Sequence, residues 1–137
     1  MDTKLARSIM RGLDVALKPG VTLDRVSDHL TKYHLPGAPV IDASGALVGY
    51  VSEYDCLQQL MQSSYYCDNA ALVEDVMSTK LITQPPTISI MDLASKMNAD
   101  RINVMPIVEE GKLIGAVSRG DVMRALVKDM EECKVPV

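Results

Sequence analysis

Gly49-Tyr50-Val51-Ser52-Glu53-Tyr54-Asp55 and Gly115-Ala116-Val117-Ser118-Arg119-Gly120-Asp121 carry the chain's most suggestive chemistry: glycine, two residues, serine, two residues, aspartate, written twice. A serine hydroxyl can donate to an anion or a sugar oxygen. An aspartate carboxylate can accept from two adjacent hydroxyls, as a ribose offers. If a strand ends at the serine and a helix begins there, free backbone N–H groups and the positive end of the helix dipole also favour a phosphate. The glycine lets a ligand or a second backbone come close. The same Ser-x-x-Asp spacing is a helix capping box, in which serine covers the N3 amide and the acidic side chain reaches back. The two roles overlap, since a capping residue keeps lone pairs that can meet a ligand.

The elements that must position these residues are also duplicated. Met10 and Met77 stand 67 residues apart, as do Pro19 and Pro86, and Pro39 and Pro106. After the turns at Gly45 and Gly111 the offset becomes 66, matching Ser52 with Ser118 and Asp55 with Asp121. A repeat of this length signals two copies of one supersecondary unit, each needing the other to bury its apolar face. Copy one spans residues 5–63 and copy two residues 72–130. Each opens on a short helical stripe (Leu5, Ile9, Met10; Leu72, Val76, Met77), then an extended segment (Asp14–Leu17; Leu81–Gln84) broken by Pro19-Gly20 or Pro85-Pro86. Thr22 and Ser89 read as caps of the next helices. Hairpins follow at Ala38–Ile41 with Leu47–Ser52, and at Met105–Val108 with Leu113–Ser118. Closing helices run near Glu53–Gln62 and Arg119–Met130. Ser63–Ala70 reads as an irregular surface linker and Glu131–Val137 as a loose tail.

Composition narrows the function. Net charge is −4 without a Lys/Arg run, which argues against a nucleic-acid partner. No apolar stretch reaches membrane-span length. Phe and Trp are absent, so the core is aliphatic, with nine Met as filler. Cys56, Cys67 and Cys133 are odd in number and widely spaced, which reads as reduced thiols in a cytoplasmic protein. His29 and His34 stand at no zinc-ligand spacing and read as solvated. No catalytic residue, nucleophile-base pair, Walker loop or GxGxxG is evident.

The duplicated order strand-helix-strand-strand-helix resembles a tandem pair of cystathionine-β-synthase (CBS) domains, a Bateman module. The resemblance rests on Ile9-Met10 and Val76-Met77, on Ala38-Pro39-Val40-Ile41-Asp42 and Met105-Pro106-Ile107-Val108-Glu109, and on the two Gly…Ser…Asp strings. It implies an α+β fold with two repeats packed sheet to sheet about a pseudo-two-fold axis, leaving two clefts. The family's clefts take AMP, ADP, ATP or S-adenosylmethionine as regulatory ligands. Carried over, one cleft combines Ser52, Asp55 and Thr83 with Gly37, Ala38 and Pro39. The other combines Ser118 and Asp121 with Ala16, Val104, Met105 and Pro106. Arg119 favours a phosphate at the Asp121 cleft, whereas Glu53 repels one at the Asp55 cleft. The resulting expectation is a non-catalytic adenosine-ligand sensor, homodimeric, with an unidentified effector protein and no metal. A ligand-free structural module and an enzyme of unrecognised type are the alternatives.

Overall fold

A computed structural model of the chain describes residues 4–133. The first set of elements is a 3-10 turn at Ala6–Ser8, another at Leu13–Val15, α1 (Leu23–Tyr33), β1 (Gly37–Ile41), β2 (Leu47–Ser52) and α2 (Glu53–Tyr65). The second is α3 (Val73–Val76), α4 (Ile90–Ala99), β3 (Val104–Glu109), β4 (Lys112–Ser118) and α5 (Arg119–Glu132). α1 buries Leu23, Val26 and Leu30 along one face, as the stripe predicts. Thr22 holds the N-cap position but makes no side-chain capping bond, while Ser89 Oγ accepts from the Asp92 amide at 3.0 Å. The residues after α1 and α4, His34 and Arg101, take left-handed φ of 53° and 55°, which turns the chain back toward each hairpin.

Both hairpins are antiparallel and in the same register, Gly37 facing Ser52 and Val104 facing Ser118. Their turns explain the change of offset. Glu110 and Gly111 both have positive φ, 52° and 77°, which is the two-residue mirror turn that suits strand twist. In the longer first turn, the Asp42 carboxylate instead accepts from the Ser44 and Ala46 amides.

The expected first strands are reduced to single parallel bridges, Leu17 with Val40 and Gln84 with Ile107. Leu13–Val15 winds into a 3-10 turn in place of the predicted extended backbone. The proline that follows each segment leaves no room for a longer ladder. α2 also runs on to Tyr65, so the linker is shorter than expected, and Tyr65 and Tyr66 lie exposed with their rings edge to face. α5 ends at Glu132; the last part of the expected tail, residues 134–137, lies outside the described residues.

The opening segments cross over. Leu5 pairs with Ser89 and Arg11 with Ala116, while Leu72 pairs with Thr22 and Ser78 with Tyr50. The two pairs of bridges interconvert under the repeat offset, so the crossing obeys the pseudo-two-fold. Each copy therefore places a residue in the other's core. Ala6, fully buried, packs with Leu93, Met105 and Val117, and Val73, also fully buried, packs with Val26, Val40 and Val51. The first core also takes in Val104 and Ala116 from the second copy, which joins the two sheets.

Candidate functional site

Both strings fold as strand end, cap and helix start. Ser52 Oγ accepts from the Asp55 amide at 3.1 Å, and Asp55 Oδ2 accepts from the Ser52 amide at 3.0 Å and its hydroxyl at 2.9 Å. Ser118 Oγ accepts from the Asp121 amide at 3.1 Å, and Asp121 Oδ2 accepts from the Ser118 amide at 3.0 Å. The capping boxes are complete in both copies. The glycine of each string serves the crossing. A Cβ on Gly115 would stand 2.3 Å from the Arg11 carbonyl oxygen, and one on Gly49 would meet the Met77 side chain.

Beyond this shared frame the two aspartates differ. Arg11 clasps the Asp121 carboxylate with two bonds, Nε to Oδ2 at 3.1 Å and Nη2 to Oδ1 at 3.2 Å, and Arg124 Nη2 reaches Oδ1 at 2.6 Å. Arg11 Nη1 also donates to the Tyr33 carbonyl. Burial would push the Asp121 carboxyl up. The Arg11 guanidinium and the Ser118 amide and hydroxyl outweigh that burial and hold the group below the ordinary carboxylate range. A hollow of about 330 Å³ opens beside it, lined by Arg11, Tyr33, His34 and Pro36 of the first copy and by Asn103, Ser118, Arg119, Gly120 and Arg124 of the second. Arg119 is steadied by its bond to Asn103 Oδ1. Three guanidiniums and the start of α5 line the hollow, and Asp121, which does not line it, pairs with two of them, so the hollow is cationic within an acidic protein.

Asp55 is half-buried and makes no ion pair among the described residues. The repeat positions of Arg11, Arg119 and Arg124 are here Ser78, Glu53 and Gln58. Tyr50 occupies the space against Gly37, where a Cβ would stand 2.1 Å from its hydroxyl; the corresponding second-copy residues are Ala116 and Val104. Burial, then the charges of Asp55 and Glu53, push the Tyr50 phenol up. A smaller hollow of about 190 Å³ lies between Tyr50, Ser78, Lys80, Leu81 and Ile82 on one side and Arg101–Val104 and Pro106 on the other.

The grouping of the expected residues therefore changes. The Asp121 hollow is walled by the first copy's corner, His34 and Pro36, instead of by Val104, Met105 and Pro106. Val104 and Pro106 line the Tyr50 hollow, and Ala38, Pro39 and Met105 are buried in the sheets. Ala16 is half-buried, Thr83 is exposed, and neither lines these two hollows. The cause is the crossing: segments 4–11 and 72–78 bring each helix start against the opposite corner. Arg11, Arg124 and His34 are absent from the expected set. The signal for the two arginines lay in positions where the copies disagree: three of the basic differences, Arg11/Ser78, Arg119/Glu53 and Arg124/Gln58, fall in one cleft. His29 departs from the expected solvated state: it is half-buried and its Nε2 donates to the Val15 carbonyl at 2.8 Å.

Among the described residues no cluster of three or more His, Cys, Asp or Glu is arranged for a metal, and no helix is long and apolar enough to cross a membrane. Cys56 is buried, with its thiol pushed up to about 11 by burial and then by Asp55 and Glu53; Cys67 and Cys133 are exposed.

A family model of the CBS domain matches residues 6–62 and again residues 73–128. The CBS domain-containing protein CBSX2, chloroplastic, of Arabidopsis thaliana is 30% identical over 142 residues, covering 85% of this chain and 60% of that protein. The chain spans 43% of a Methanocaldococcus jannaschii relative that is 24% identical over 123 residues. The crystal structure of CBSX2 in complex with AMP superposes with a TM-score of 0.77 at 27% identity, covering 93% of this chain and 98% of that one. A putative acetoin utilization protein (AcuB) from Vibrio cholerae shares the fold, with a TM-score of 0.84 at 21% identity over 98% of this chain and 100% of that one. The chain belongs to the CBS-domain family and carries two of its domains in tandem.

Proposed function

We propose that the chain is a non-catalytic regulatory module that binds an adenosine-containing ligand between its two CBS domains, with AMP the best fit, in the cleft at Asp121. The observation that carries this reading is the hollow lined by Arg11, Arg119, Arg124 and the start of α5, to which both copies contribute. Guanidiniums and helix-start amides are strong partners for a phosphate. At about 330 Å³ the hollow sits at the small end of ligand pockets, which run from about 300 to 1,000 Å³, and that favours a monophosphate over a triphosphate. S-adenosylmethionine brings a sulfonium cation toward three arginines and ranks below AMP. Binding without turnover is supported by the lining itself: the Ser118 hydroxyl is engaged in the cap, and no carboxylate or thiol lines the hollow among the described residues. The CBSX2 structure with AMP supports the ligand class.

A ligand that bridges the copies biases their packing, and a partner protein reads the bias. A second copy of this chain covers the helical face. Leu57 and Met61 on α2, and their repeat equivalents Met123 and Val127 on α5, lie exposed beside grooves between α1 and α2 and between α4 and α5. Two equivalent apolar stripes suit a closed two-fold pairing.

Isothermal titration with AMP, ATP and S-adenosylmethionine tests the ligand. Saturable AMP binding, weakened about tenfold or more in Arg119→Ala with an unchanged melting temperature, is the expected result, because bonds between charged groups contribute about 1.5–3 kcal/mol. No heat with any of the three ligands leaves a ligand-free structural module as the better reading.

A further inference from the structure

Asp121 sits behind the arginines: Arg11 and Arg124 line the hollow and Asp121 does not. Both Asp121 oxygens are held by guanidiniums, Oδ2 by Arg11 and Oδ1 by Arg11 and Arg124. The pair is sheltered, with the Arg11 side chain 27% and the Asp121 side chain 11% exposed. Asp55, whose repeat positions offer Ser78 and Gln58 instead, is held among the described residues only within its own cap. An uncharged nucleoside entering the Asp121 cleft must separate a bidentate ion pair and return only neutral hydroxyls. The new hydroxyl bonds to the carboxylate are charge-assisted too, but the exchange leaves the sheltered Arg11 guanidinium without a counter-ion, so it is unfavourable. A phosphorylated ligand changes the balance. Its oxygens match the planar guanidinium fork as well as a carboxylate does, so Arg11 can turn onto the phosphate and leave Asp121 free for the diol.

We propose that Arg11 sets ligand choice at this cleft: it keeps Asp121 closed to uncharged nucleosides and releases it to ligands that carry a phosphate-type anionic group. The inference rests on the functional reading above and deepens it. The same movement supplies a signal. Arg11 Nη1 donates to the Tyr33 carbonyl at 2.6 Å, so one guanidinium ties the crossing segment, the end of α1 and the start of α5 together. Turning it onto a phosphate alters that tie between the copies.

The test is a nuclear magnetic resonance titration that follows the Gly120 amide, which sits at the α5 start and reports this cleft and not the other. AMP and adenosine are titrated separately into the unmodified protein, Arg11→Gln and Arg124→Gln. In the unmodified protein AMP binds at least about tenfold tighter than adenosine. In Arg11→Gln, adenosine binds more tightly than before while AMP binds more weakly, and the preference falls about tenfold. A merely structural role for Arg11 would weaken both ligands together. Arg124→Gln removes an exposed partner of the same carboxylate and shows the same opposed shifts at smaller size; if Arg11→Gln loses its native spectrum, this variant decides. Adenosine affinity unchanged or weaker in a folded variant overturns the inference alone. AMP failing to move Gly120 in the unmodified protein overturns the functional reading and this inference with it.

Discussion

Asp121 closes the α5 cap, pairs with an arginine 110 positions earlier in the chain, and holds two of the arginines that line the cationic hollow. Its folded pKa lies below the unfolded value. The stability this adds is fully present above the ordinary carboxylate range and is lost as pH falls through it, below about pH 4. Denaturant unfolding at a series of pH values should show stability dropping in that window, with a shallower drop in Asp121→Asn. Asp121→Ala should cost about 2–4 kcal/mol at neutral pH, since it removes a cap worth about 1 kcal/mol and leaves the half-buried Arg11 guanidinium without its partner. A loss near 1 kcal/mol would mean that the cap alone matters. The cysteines make a second check at this scale. Cys67 and Cys133 are exposed, whereas Cys56 is buried with its thiol near 11, so iodoacetamide at pH 8 should add two groups quickly and a third only on unfolding, read by mass spectrometry.

The crossing segments decide what the elements can do. Gly115 is needed because the Arg11 backbone lies against it, 2.3 Å from where a Cβ would be. Gly49 faces the flexible Met77 side chain instead. Overpacking costs about 1–3 kcal/mol. Gly115→Ala should fall at the upper end and Gly49→Ala at the lower end in paired denaturant melts; equal losses would contradict the assigned crossing. Much of this scale was legible in the chain. The hairpins, the helix stripes and both Ser-x-x-Asp caps follow from spacing within a few residues, because their hydrogen bonds are local. The crossing was not, because Ala6 enters a core some 80 to 110 residues downstream and no periodicity marks the jump. The first strands were over-read for a related reason: apolar residues before a proline look extended, yet tertiary pairing supplies only one bridge to each. The acidic and hydroxyl residues of the candidate site were visible through agreement between the copies. Arg11 and Arg124 were not, since they stand where the copies differ.

For the whole molecule, near-symmetry has been bent to make unlike clefts. One is lined by three arginines, Arg11, Arg119 and Arg124; the other is narrowed by Tyr50 against Gly37 and is lined by Lys80 and Arg101 among mostly aliphatic residues. The helical faces stay alike, each with an exposed apolar stripe. Sedimentation should find twice the 14.9 kDa of one chain, and Leu57→Glu with Met123→Glu should halve that mass without loss of helical signal. A wild-type monomer would remove the paired assembly and leave the cleft untouched.

Hydrogen exchange with and without AMP probes the cleft most directly. Slowed exchange is expected at residues 118–121 and 33–36, the two walls contributed by opposite copies, with little change at the Tyr50 hollow. No slowing anywhere, or protection confined to the groove between α1 and α2, would contradict it.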